Sequence, residues 1–286
     1  MRSSGPTPAL VIRPQAGWSS LGLAELWRQR ELVGFLALRD LKVRYKQSAL
    51  GVGWALLQPL LTLGMFTALF SVLLGRDRLP SAPGVPYSVS TLCALVPWQL
   101  FARGVTAGGE SLVASQGLIT KVYFPRLAVP LAPVAAALVD FALALALLVP
   151  LLAWHGIGAG PALLLLPLFA LQAFAAAFGA ALWLSALNAL YRDVRHALPS
   201  LVQLWMFATP ILYSAGHLLE GRPAWLAALY GANPMAGAVE GFRLCLLGAA
   251  PPAAELLAAS ALATLGLVAS GLLVFRRLES AIVDRV

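Results

Sequence analysis

The chain has 286 residues, 60% of them hydrophobic and 11% charged, with a mean hydropathy of +0.82. Soluble domains carry about 25% charged residues, so this composition excludes one and describes an all-α integral membrane protein. The net charge of +8 gathers at the flanks of apolar segments, where anionic lipid accounts for it, and nucleic acid is excluded as a partner.

Residues 1–50 read as a cytoplasmic tail and amphipathic interfacial helices. The first twenty are rich in Pro, Ser and Gly and lack the apolar core of a signal peptide, while Leu21 to Leu38 has the spacing of a short surface helix. The stretch LRDLKVRYKQSALGVGWALLQPL, Leu38 to Leu60, then joins a basic helix to an uncharged span. On a 3.6-residue wheel Arg39, Lys42 and Lys46 share one face and Leu38, Leu41 and Tyr45 the neighbouring one. With Arg44 between them, these residues predict a helix lying along the bilayer surface, although plain topology anchors would read the same way.

Residues 51–276 form the membrane domain. From Gly51 to Leu74 no residue is charged, enough to cross a hydrocarbon core of ~30 Å at ~1.5 Å per residue. A loop through Arg76 and Arg78 follows on the outer side. The second span, Ser88 to Ala107, contains Pro97 and Arg103, and Arg103 requires a partner or water. Residues 108–126, GGESLVASQGLITKVYFPR, return to the cytoplasm and carry a short helical run, Ser111 to Ile119, before the third span at Val129 to Trp154. The fourth span, Pro161 to Leu187, ends at a charged cluster, YRDVRH, Tyr191 to His196. Leu198 to Ala215 supplies a fifth, interrupted by Pro210. Residues 223–247 are apolar but hold Glu240 and Arg243, and Asn233-Pro234 divides them into two pieces too short to cross, which predicts a re-entrant pair of half-helices on the outer side. Leu256 to Phe275 is the sixth span, stopped by Arg276-Arg277, and 277–286 is a cytoplasmic tail.

Six spans place both termini on one side. Of the 20 Lys and Arg, fifteen then lie in cytoplasmic segments, four outside (Arg76, Arg78, Arg222 and Arg243) and Arg103 within a span. This asymmetry tests the whole topology at once, because basic residues beside a span resist translocation.

Few motifs carry chemistry. A phosphate loop needs G-x-x-x-x-G-K-[ST], and none of the three lysines follows a glycine; no metal spacing is present, and two cysteines make no framework. No cofactor is therefore expected in this chain. The acid within a span, Asp140, must be protonated or paired, with Arg103 and Gln58 the nearest candidates by depth; a proton relay is the functional alternative. Trp98 and Phe101, beside Pro97 and Arg103, are candidates for lining a sugar path, since flat aromatic faces accept pyranose rings; helix packing explains them equally. Trp18, Trp27, Trp154 and Trp225 read as interface anchors.

The segment RDLKVRYKQSALGVGWALLQPL resembles the start of the membrane subunits of ATP-binding-cassette exporters that move polysaccharides and polyol phosphates, such as O-antigen, capsule and teichoic acid. ESLVASQGLITKVYFPR is similar to that family's coupling helix, and NPMAGAVEGFR to its re-entrant segment. The resemblance implies a permease that is not itself an enzyme, working as a homodimer in the bacterial inner membrane. It implies that ATP and magnesium reside on a separate ATPase subunit and that the cargo is a lipid-linked polysaccharide. It also assigns Glu110, Ser111, Gln116, Gly117, Leu118 and Lys121 to docking on that subunit, and Tyr123, Phe124, Pro125 and Arg126 to the turn into the third span. An exporter of drugs or small lipids shares the fold, and an ion-coupled transporter using Asp140 is the rival of another class.

Overall fold

The computed structural model describes residues 23–46, 51, 53–74, 85–119, 121, 124–158 and 160–285. The tail 1–22, the junction 47–50, the loop 75–84 and Tyr123 lie outside the described residues.

Among the described residues every regular element is a helix: α1 (Leu23–Arg28), α2 (Arg30–Lys46), α3 (Gly53–Leu74), α4 (Tyr87–Ala114), α5 (Gln116–Ile119) and α6 (Ala128–Trp154) come first. A 3-10 turn (Pro161–Leu165) leads into α7 (Leu166–Leu190), followed by α8 (Asp193–Phe207), α9 (Ala215–Leu219), α10 (Ala224–Gly231), α11 (Pro234–Leu247) and α12 (Ala254–Arg285). Among the described residues three helical segments are long and apolar enough to cross a membrane: Ala128–Trp154, Pro161–Leu190 and Ala254–Leu278. A shorter apolar helix covers Gly53–Leu69.

The buried helix α4 is central, packed between α6 and α7, while α7 lies against α12. Two glycines allow that second contact. A Cβ on Gly179 would stand 2.8 Å from the Val268 nitrogen, and one on Gly271 would stand 2.7 Å from the Gly179 carbonyl oxygen. Close backbone approach through small residues is how helices associate where lipid removes the hydrophobic drive between them.

Apolar clusters divide the bundle into ends. At one end Leu36, Leu112, Phe124, Ala128, Ala186 and Phe275 pack together, and at the other Val89, Leu148, Leu152, Phe169 and Phe242 do. The first end carries the exposed Lys121, Arg192 and Arg195, as the charge asymmetry predicts. Trp27, Trp154 and Trp225 are exposed.

Two expectations are corrected and two are refined. The fifth expected span, Leu198 to Ala215, is not one helix: α8 stops at Phe207, and its 15 residues reach ~22 Å, short of a hydrocarbon core. Residues 208–214 are irregular because Pro210 lacks an N–H and the carbonyls of Pro210, Ile211 and Tyr213 bond to Arg243 instead. Arg243 is thus 2% exposed, buried within the segment that the charge count placed on the outer side. Helix α12 continues to Arg285 past Arg276-Arg277, so the segment expected as a tail is helical as far as Arg285; paired arginines end an apolar stretch without ending a helix. Lastly, α2 does not lie free along a surface. It packs on α6, burying Leu36 and Ala37, while Leu38 is 55% exposed.

Candidate functional site

The main polar cluster inside the bundle is built where α2, α3, α4 and α6 meet. Asp140, on the thirteenth position of α6, is 4% exposed and accepts from three side chains on two other helices. Arg44 Nη1 of α2 lies 2.6 Å and Arg103 Nη1 of α4 lies 2.7 Å from Asp140 Oδ2, while Tyr45 Oη donates to Oδ1. Arg103 Nη2 also donates to Gln58 Oε1 of α3 at 2.9 Å. Burial, and then the bond to Asp140, raise the Tyr45 pKa above its ordinary value, so the phenol persists as a donor. The expected Asp140–Arg103 pair is present, and Gln58 serves Arg103 rather than the acid. Arg44 and Tyr45 were not expected as partners of Asp140, because the sequence treats them as interfacial and gives no signal that α2 climbs along α6.

Beside this cluster lies a cavity of about 280 Å³, lined among others by Arg44, Tyr45, Trp54, Gln58 and Arg103. Trp98 and Phe101 do not share it. They are 4% and 0% exposed, and Phe101 meets Trp205 of α8 edge-on, with ring centroids 4.9 Å apart. Their place is core packing, which corrects the expectation that they line a path with Arg103.

Only part of the stretch expected to couple is exposed. Helix α4 runs on to Ala114, so Glu110 and Ser111 belong to its last turns; Ser111 is 7% exposed and donates to the Gly108 carbonyl at 2.6 Å. After a break at Ser115 the one-turn α5 presents Gln116 and Gly117 to solvent, with Lys121 beyond. Leu118 packs with the cluster under α2, and Phe124 and Pro125 are buried. A Cβ on Gly117 would meet nothing within 4 Å.

The stretch expected to be re-entrant is held by a second polar knot. Arg243 Nη1 lies 2.8 Å from Glu240 Oε1, and Glu240 in turn accepts from the Ala215 N–H at 2.7 Å and from Ser214 Oγ at 3.3 Å. Asn233 caps α11 by accepting from the Met235 N–H at 3.0 Å, and it accepts from Trp205 Nε1 at 3.1 Å and donates to the Ala208 carbonyl at 3.1 Å. The sequence marks the break at Asn233-Pro234 correctly, but not that Glu240 and Arg243 cover a loop 25 to 33 residues away.

The family described as ABC-2 type transporter matches residues 31–247, from α2 to the end of α11. The chain belongs to the ABC-2 type transporter family. An O-antigen export system permease protein RfbA of Myxococcus xanthus is 31% identical over 260 residues, covering 90% of this chain and 96% of the relative. Two O-antigen export system permease proteins RfbA of Klebsiella pneumoniae are 29% and 28% identical over 214 residues, each covering 74% of this chain and 79% of the relative. As an ABC-2 type transporter chain, it is a membrane subunit of a transporter and not the ATPase itself. The ABC-2 match takes in both polar knots and the exposed α5.

Proposed function

We propose that this chain is the permease subunit of an exporter that carries a lipid-linked polysaccharide of the O-antigen type across the bacterial inner membrane, driven by ATP hydrolysed on a separate subunit. The observation that carries the reading is the similarity to an O-antigen export permease over 96% of that relative's length. In this reading α3, α4, α6, α7, α8 and α12 are six passes, with residues 208–219 completing the short α8 on the outer side. Helices α10 and α11 form the re-entrant pair, and both termini are cytoplasmic. The alternation of the two apolar ends along the chain supports this order.

The partners follow from the same reading: a nucleotide-binding subunit holding ATP and magnesium, a second copy of this chain, the lipid-linked glycan and the surrounding lipid. Gln116, Gly117 and Lys121 offer the docking contacts, with Glu110, Ser111, Leu118, Phe124, Pro125 and Arg126 supporting them from below. A rigid knob between two long helices transmits motion because packed elements move as bodies. A proton relay at Asp140 draws no support from the geometry, since both carboxylate oxygens are engaged by donors from α2 and α4.

The test is removal of the chain from the bacterium that makes it. Surface polysaccharide should vanish, the lipid-linked polymer should accumulate inside, and the intact chain supplied in trans should reverse both. Normal surface polysaccharide without the chain overturns the reading.

A further inference from the structure

The charges around Asp140 do not balance. One carboxylate faces two guanidiniums, of which Arg103 is 17% and Arg44 33% exposed at the side chain. Among the described residues those guanidiniums bond only to Asp140 and Gln58, although each carries several N–H donors in a planar fork. An excess positive charge beside an apolar bundle is costly unless an anion complements it. The cavity of about 280 Å³ lies against both arginines, at the lower end of small-molecule sites, large enough for a headgroup and too small for a saccharide chain. Its remaining lining is suited to an amphiphile: Gln58 and the Tyr45 hydroxyl are polar, while Trp54 is 47% exposed at the start of an apolar helix whose outer face shows Leu61 and Met65.

We propose that this cavity is a binding site for the phosphate or diphosphate ester of an amphiphile, gripped by the Arg44 and Arg103 forks, with Asp140 as the resident counter-ion that holds the two forks in place. Arginine suits this role because its fork matches two phosphate oxygens at once. Asp140 then competes with the incoming anion for the same N–H donors. The site takes either a bilayer phospholipid or the phosphate-bearing carrier of the cargo, and only the second occupant rests on the export reading.

The experiment uses the full chain in phosphatidylcholine nanodiscs, with farnesyl diphosphate as probe and farnesol as its uncharged control. Binding is read from the fluorescence that Trp54→Phe removes. The diphosphate should bind saturably and at least tenfold more tightly than the alcohol. Arg44→Gln and Arg103→Gln should each weaken it about tenfold, Arg44→Lys less, and Asp140→Asn should tighten it several-fold by releasing the forks. Equal affinity for diphosphate and alcohol overturns the site, as does an Asp140→Asn chain of normal melting temperature that binds more weakly. Where an arginine variant does not fold, the wild-type preference and Asp140→Asn decide the matter alone. Replacing part of the phosphatidylcholine by phosphatidylglycerol assigns the occupant: a tenfold loss of probe affinity supports the site and makes it a bilayer-lipid site, and unchanged affinity supports the carrier. Binding needs no transport, so absent binding together with surface polysaccharide lost on removal of the chain removes this site and leaves the export reading standing, and saturable binding together with surface polysaccharide unchanged by that removal does the reverse.

Discussion

Arg243 shows how much one side chain decides. Its guanidinium donates to the carbonyls of Pro210, Ile211 and Tyr213 at 2.6, 2.7 and 3.0 Å and pairs with Glu240, at 2% exposure. Truncation leaves a buried acid and three carbonyls unmatched, so Arg243→Met should cost ~3 to 5 kcal/mol, read as a large drop in melting temperature and folded yield in detergent. Arg243→Lys should recover only part, because one ammonium cannot span the same carbonyl set. Tyr45 gives a prediction in pH. Its folded pKa is raised, so the stabilisation from the neutral phenol is fully present below the ordinary value of about 10 and is lost as pH rises through the higher folded value. Absorbance titration should therefore show one late-titrating phenol fewer in Tyr45→Phe; a lost phenol that titrates at the ordinary value sinks the assignment.

At the scale of elements, small residues and exposed ones play opposite parts. Gly179 and Gly271 bring α7 and α12 to backbone contact, and a larger side chain at either must push the helices apart. Gly179→Leu should lower stability by ~1 to 3 kcal/mol or more, the range for overpacking, and cut the yield of folded chain. Gly117, by contrast, faces open space on α5. Gly117→Arg should leave melting within ~0.5 kcal/mol of the wild type, as surface changes do, and yet reduce ATP-driven export and co-purification of the ATPase subunit. Undiminished export in this variant would make α5 a plain connector. Leu118 is unsuited to the same test, because it packs with the cluster under α2.

For the whole molecule the decisive quantity is sidedness. Arg195, at the start of α8, and Arg222, before α10, are both exposed, and both native cysteines are buried and contribute little background. An impermeant thiol reagent applied to intact cells should label Arg222→Cys and spare Arg195→Cys until the cells are opened. Labelling of both from outside would overturn the six-pass order.

The sequence by itself determined the class of protein, the apolar segments around Val129, Pro161 and Leu256, the break at Asn233-Pro234 and the basic end of the bundle. These are local quantities: length of apolar run, missing N–H, charge beside a span. Only the tertiary structure decided where the polar groups inside the bundle find their partners. Arg44 and Tyr45 are 96 and 95 residues from Asp140, and Arg243 is 30 or more from the carbonyls it covers, so no periodicity registers either knot. The same holds for Trp98 and Phe101, whose composition suits a sugar path or a core equally. Helix packing against Trp205 settled it, because burial belongs to the arrangement of helices and not to any one of them.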